Sequence, residues 1–285
     1  MSSSCLSRLG GVVVLALIAP AVALAAPPVL RVCADPDNLP FSNDRREGFE
    51  NAIAQLVADD LHAKLEYTWY SQRHPGFLRQ TLQAGKCDLV VGVPQGYEPV
   101  LSTSPYYRST YVFVYRKGQL RNLHSFDDPA LRELRIGLHA LGAEGGNAPP
   151  ANAVARRGLS ANVVGYSILA SADAPAGSIF KAVARGDVDV AIVWGPLVSG
   201  FVRDQAPELL VVPVEPSQEV HPLQFAFDMS MGVRRTDESL RQRLEGVLKR
   251  RRGDIRNILQ SRDVPMVDSD GPAAIAPVAD AIVTP

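Results

Sequence analysis

Asp35 and Asp37 flank Pro36 and form an acidic pair that could face a hard cation. The same Asp-Pro and Asp-Asn steps are turn formers, because short Asx side chains bond their own backbone, and the turn is the preferred reading. Gly142-Ala143-Glu144-Gly145-Gly146-Asn147 precedes a helix start, so its N–H groups could meet an anion; a loop needing positive φ explains it equally well. His62, His74, His124, His139 and His221 are scattered without metal-ligand spacing. Gly-x-Ser-x-Gly, His-Glu-x-x-His, P-loop and Cys-x-x-Cys patterns are all missing. No catalytic turnover and no bound metal are therefore expected.

The elements that must position such residues begin after an export signal. Arg8 is the sole charge before Arg31, and it precedes an apolar run broken by Pro20 and closed by Ala23-Leu24-Ala25. That is a secretory signal peptide over residues 1–25, too short and punctuated for a spanning anchor, and it directs the chain to the periplasm. Cys33 and Cys87 then remain in an oxidising compartment. Both fall in expected strands, so a bridge and two lone buried thiols stay open until geometry decides.

Leu30–Ala34 reads as a buried strand ending in a turn-rich loop. Phe49, Ala52, Ile53, Leu56, Val57 and Leu61 follow at helical spacing. Leu65–Trp69 is a strand, His74–Ala84 a helix and Leu89–Val93 a buried strand. The order β-α-β-α-β implies a parallel sheet with helices on both faces. Leu134–Leu138, Pro149–Arg157, Asn162–Tyr166, Ser178–Arg185 and Val188–Val193 repeat it. The overlay is close at one junction: Gly85-Lys86-Cys87-Asp88 matches Gly186-Asp187-Val188-Asp189, each ending a helix with a glycine cap.

The expected architecture is α/β and two-lobed, each lobe a mostly parallel sheet flanked by helices. Residues 28–114 plus 220–262 form a discontinuous first lobe and 115–215 the second. Thr110–Tyr115 and Leu209–Val214 are the two crossing β segments. A strand over Phe225–Val233 leads to one long helix over Thr236–Ser261, whose Lys249–Arg252 run is a solvated face. Residues 267–285, rich in Ala and Pro, read as a disordered tail. Across all 285 residues, 29 Lys plus Arg stand against 30 Asp plus Glu, a net charge of −1 that excludes an electrostatic nucleic-acid binder.

Two α/β lobes joined by β crossovers, exported and lacking a catalytic set, resemble a type II periplasmic solute-binding protein, which closes on a ligand by hinge motion. Gln83-Ala84-Gly85-Lys86-Cys87-Asp88 followed by Ser104-Pro105-Tyr106-Tyr107 looks like its amino-acid-binding branch. In that branch an arginine before the Ser-x-Pro-Tyr segment grips the ligand carboxylate, yet residues 94–101 contain none. Trp194 stands where an acid would meet the ligand ammonium. An amino acid buried without these anchors would cost several kcal/mol, so it is not the expected ligand.

Arg31-Val32-Cys33-Ala34-Asp35-Pro36-Asp37-Asn38-Leu39-Pro40-Phe41, Gly48-Phe49-Glu50-Asn51, Pro105-Tyr106-Tyr107-Arg108-Ser109-Thr110 and Val193-Trp194-Gly195-Pro196 resemble the quinoprotein-dehydrogenase-associated proteins of methanol oxidation clusters, the J-type (MxaJ/XoxJ) family. Ala226-Phe227-Asp228-Met229-Ser230-Met231 extends the likeness. The resemblance implies a non-catalytic accessory that binds a PQQ-dependent methanol or alcohol dehydrogenase and assists its maturation or activation. PQQ and the calcium or lanthanide ion would belong to that enzyme. Lanthanide binding at Asp35 and Asp37 is a subsidiary hypothesis. The alternative is a receptor delivering a small apolar or aromatic solute to an ABC-type transporter. For either, the expected cleft residues are Asp35, Asn38, Phe41, Gly96, Tyr97, Tyr106, Gly142, Asn147, Trp194 and Gly195.

Overall fold

A computed structural model describes residues 27–268 except 73, 75, 141–147, 168–176 and 219–222. The expected signal segment, the glycine loop with Gly142 and Asn147, and the tail beyond Asp268 therefore lie outside the described residues.

The first half opens with β1 (Val29–Ala34), a short β2 (Asp37–Asn38) and β3 (Ser42–Asn43) hairpin, and α1 (Phe49–Asp60). β4 (Lys64–Trp69), α2 (Phe77–Gln80), β5 (Leu89–Pro94), β6 (Leu101–Ser102) and β7 (Tyr107–Arg116) follow. The second half contains β8 (Ile136–Ala140), α3 (Pro149–Arg156), β9 (Val163–Ser167), α4 (Ser178–Arg185), β10 (Val190–Trp194), α5 (Phe201–Gln205) and β11 (Leu209–Pro213). The chain then returns through β12 (Ala226–Val233) to α6 (Glu238–Arg250) and α7 (Arg252–Ser261).

β4, β1 and β5 run parallel, as do β10, β8 and β9. The inner strands β1, β5 and β10 are largely buried by helices on both faces, whereas the outer β4 and β9 are half-buried to exposed. Phe49, Ile53 and Val57 of α1 join Leu244, Val247 and Leu259 of α6 and α7 over one face of the first sheet. Phe77, Leu82, Val90 and Val100 fill the other. In the second half, Val154 of α3 and Ile179 and Val183 of α4 take opposite faces. This is the duplicated α/β layering that the periodicity implied.

β7 joins the halves. Tyr107–Thr110 pairs antiparallel with Ala226–Met229 of β12, whereas Tyr111–Tyr115 pairs with β10. The change of partner falls between Thr110 and Tyr111, inside the segment assigned to the first lobe. Leu209–Pro213, expected as the returning crossover, instead pairs with β7 as a strand of the second sheet. The return is made at Phe225, whose carbonyl accepts from the Tyr111 N–H at 2.9 Å and the Thr110 hydroxyl at 3.1 Å.

Two helices differ from expectation. The one predicted over His74–Ala84 is confined to Phe77–Gln80, because the Thr81 hydroxyl bonds back to the Phe77 carbonyl at 2.6 Å and the chain turns toward β5. The long C-terminal helix divides at Arg251, two residues before Gly253. Within its basic run, Arg250 and Arg251 both pair with Asp60 of α1, so that segment is partly a docking contact. Val267, the first residue of the expected tail, donates its N–H to the Arg108 carbonyl at 3.0 Å.

Candidate functional site

Parallel strands end together, and the loops leaving β1, β4 and β5 at Ala34, Trp69 and Pro94 form one rim. Asp35 heads the first loop and is 1% exposed. Its Oδ1 accepts from the Asp37 N–H at 2.9 Å, and its Oδ2 accepts from the Gln72 N–H at 2.8 Å and the Ser71 hydroxyl at 3.3 Å. This carboxylate therefore ties two strand-end loops together. An acid surrounded by donors is not offering lone pairs to a cation, so the acidic-pair reading gives way to the turn. No group of three or more His, Cys, Asp or Glu side chains among the described residues is arranged to hold a metal. Asn38 is also engaged, donating from Nδ2 to Gln72 Oε1 at 3.0 Å.

The expected aromatics separate into different environments. Phe41 packs 5.2 Å from Phe49, at the margin of the core. The Tyr106 hydroxyl donates to the Val91 carbonyl at 3.0 Å, and burial pushes its pKa well above the usual tyrosine value. Trp194 is half-buried between Tyr111 and Phe227, with ring centroids 5.5 and 5.8 Å away. Its ring thus packs on the crossing strands. Gly195 is needed for close approach there, since a Cβ would lie 2.5 Å from the Thr110 carbonyl oxygen. Gly96 turns with φ +75° and donates its N–H to Ser102 Oγ.

Tyr97 is 43% exposed and borders an open cavity of about 490 Å³. Gln72, His74, Phe77, Arg79 and Pro94 line it as well. The His74 ring accepts the Gly76 N–H on Nδ1 at 3.1 Å, which leaves Nε2 to carry the proton of the neutral ring. The volume suits a small molecule, and its apolar floor with a polar, cationic rim suits an aromatic body bearing a polar or anionic group. The sequence reading missed Gln72, His74 and Arg79. The signal was available: three parallel strands imply three neighbouring exit loops, and only the first and third were considered.

Glu50 belongs to the Gly48–Asn51 motif. It stands in the first turn of α1, 8% exposed, and desolvation raises its pKa from 4.5 to about 7. A Cβ on Gly92 would lie 2.1 Å from its Oε1, so a larger residue there would have to displace the Glu50 carboxyl. Burial, with a smaller push from the Glu50 charge, raises the Tyr107 hydroxyl well above the usual tyrosine range, and that hydroxyl makes no hydrogen bond. Cys33 and Cys87 are bonded to each other beneath this rim, with Cα atoms 5.5 Å apart.

Residues 30–260 match the bacterial extracellular solute-binding proteins, family 3. The chain belongs to that family. Protein MoxJ of Methylorubrum extorquens is 30% identical over 251 residues, covering 84% of this chain and 81% of the relative. Periplasmic binding protein XoxJ from Methylobacterium extorquens AM1 superposes with a TM-score of 0.68 at 37% identity, over 84% of this chain and all of the other. MxaJ from Methlophaga aminisulfidivorans MPT reaches a TM-score of 0.71 at 24% identity, again over 84% of this chain and all of the other; at that identity the likeness speaks for the fold. The type II periplasmic binding fold is thereby established for this family 3 chain. No helix among its described residues is long and apolar enough to cross a membrane.

Proposed function

We propose that this solute-binding-family protein is a periplasmic accessory of a PQQ-dependent methanol or alcohol dehydrogenase. It is exported by residues 1–25, binds the dehydrogenase and assists its maturation or activation, with no turnover of its own. PQQ and its calcium or lanthanide ion are the enzyme's cofactors. The observation that carries this reading is the internal use of Asp35 and Asn38. Polar groups that a receptor would turn toward a charged solute are here committed to holding loops in place. The likeness to XoxJ and MoxJ supports the same assignment.

A second reading rests on the cavity beside Tyr97 and Arg79, which fits a small aromatic or apolar solute. Affinity capture from periplasm, with mass spectrometry of retained proteins and small molecules, separates the two. The accessory reading expects a dehydrogenase subunit to be retained stoichiometrically. A stoichiometric small ligand without dehydrogenase would overturn it in favour of the receptor. In that case Tyr97→Ala should weaken retention of the ligand about tenfold or more.

A further inference from the structure

The chain continues past α7 into a segment that touches both halves. Asp263, with φ +53°, turns the backbone out of the helix, and the Val264 N–H caps it on the Leu259 carbonyl at 3.0 Å. Val264 is 4% exposed and packs into the core of the first half. Arg262 Nη1 donates to the Glu47 carbonyl at 2.5 Å. Further along, the buried Ser109 hydroxyl of β7 donates to the Pro265 carbonyl at 2.5 Å, and the Val267 N–H reaches Arg108.

The same few residues also hold the second half. The Ser199 hydroxyl, following β10, donates to the Arg262 carbonyl. Asp263 pairs with Arg203 of α5 at 2.5 Å. Pro265 sits against Gly195, its Cβ 3.3 Å from where a glycine Cβ would stand. Six consecutive residues thus bridge a lobe pair whose β connections are β7 and the return into β12.

We infer that Arg262–Val267 is a strap that pins the second half to the first and restricts motion about the β7 and β12 crossovers. Rotation of the second half away from α7 must break the Ser199–Arg262 and Arg203–Asp263 contacts together. The lobes therefore keep one arrangement and present a preset surface, in contrast to a receptor that closes freely on its solute. The inference stands on these contacts and is independent of which partner the protein serves.

The test uses spin labels at two exposed positions in the mature chain, Gln55→Cys on α1 and Lys181→Cys on α4, with pulsed dipolar distance measurements. With the strap intact, one narrow distance distribution is expected. Ser199→Ala with Arg203→Gln removes the two polar contacts to the second half and leaves Val264 in the core; it should at least double the width or add a second distance. Ser109→Ala, tested separately, loosens the Pro265 contact and should broaden the distribution less. An intact protein as broad as the double variant overturns the inference. So does a double variant that keeps the narrow distribution and a cooperative melt.

Discussion

The two halves solve one structural problem with the same residues and then reinforce it differently. Arg31 forks onto Asp88 through Nε at 2.9 Å and Nη2 at 2.7 Å, while Nη1 donates to the Gly85 carbonyl. Arg135 does the same to Asp189 at 3.1 Å through Nε and Nη2, with Nη2 also reaching the Gly186 carbonyl. In each half a left-handed glycine precedes the aspartate that anchors the first strand of the sheet; Gly186 caps α4 as expected, whereas α2 stops at Gln80 and Gly85 lies in the turn beyond it. The first half adds Arg234 to Asp88 and a covalent link between Cys33 and Cys87. The corresponding second-half positions are Gly137 and Val188, in van der Waals approach only. A duplicated plan fixes the geometry, and local additions decide which copy is the more rigid.

The largest expected effect comes from opening the disulfide. The bridged cysteines are 54 residues apart, for which loss of the cross-link should cost about 4 kcal/mol through unfolded-chain entropy. Urea unfolding of the Cys33→Ala, Cys87→Ala variant against the parent measures this. If the contrast between halves is real, hydrogen exchange should accelerate in β1, β4 and β5 while β8 and β10 change little. Equal acceleration in both halves would break the comparison.

Next in size is a pH response of opposite sign in the two halves. Glu50 rises from 4.5 to about 7 on burial, whereas α3 carries no acid in its first turn. Below pH 4.5 the folded and unfolded forms are both protonated there. Between pH 4.5 and 7 only the unfolded form ionises, so stability falls by about 3 kcal/mol as pH rises, then levels. His139 in β8 is lowered from 6.5 to about 4 by burial. Its unfolded form alone is protonated between those values, so its contribution is full above pH 6.5 and lost as pH falls. The two slopes offset one another between about pH 4.5 and 6.5. Stability measured at pH 5 and 7 should decline more weakly with pH in the parent than in His139→Gln, and should rise with pH in Glu50→Gln. Parallel curves for all three would show that neither group titrates as its burial requires.

Removing the aspartates compares the two junctions directly. Asp88 is held below the usual carboxylate range despite burial by bonds from Arg31 and Arg234; Asp189 is held down chiefly by Arg135. Asp88→Asn removes the partner of Arg31 and one of the two partners of Arg234, which keeps Asp237, and should cost about 2 kcal/mol, against about 1 kcal/mol for Asp189→Asn. Both contributions are present above the unfolded carboxylate pKa and disappear as pH falls through the lower folded value. Equal costs in denaturant titrations would mean that Arg234 adds nothing.

Much of this plan was readable beforehand because it rests on local grammar. The α1 stripe, the Gly186 cap and the Gly-x-x-Asp repeat each follow from a few adjacent residues. Less legible were features set by distant parts of the chain. Leu209–Pro213 looks like any buried strand, and only its register with β7 assigns it to the second sheet. Trp194 is expected at a cleft; that its ring also meets Phe227, 5.8 Å away and reached only after the return crossover, is set by the fold. Gln72 and Arg79 carry no motif, and they become a cavity rim only once β4 and β5, on either side of β1, are seen to run parallel. Likewise Ser199 and Arg203 acquire a role from residues 262–263, beyond the helix that periodicity could predict.

The smallest predicted effect asks whether the second-half junction is as tight as a junction without a cross-link needs to be. A Cβ added at Gly137 would lie 3.3 Å from Ile179 Cγ1 and Val188 Cγ2, and 3.4 Å from Tyr166 Cε2. Each neighbour would have to yield a few tenths of an ångström, so Gly137→Ala should destabilise by about 1 kcal/mol. Val188→Ala removes one of those obstacles while opening a cavity of its own. The cost of Gly137→Ala should therefore be smaller in the Val188→Ala background, a coupling of about 0.5 kcal/mol or more in a double-mutant cycle. Additive costs would place the obstruction at Ile179 or Tyr166, and the second half would then owe its junction to α4 and β9 packing rather than to the position that carries the disulfide in the first.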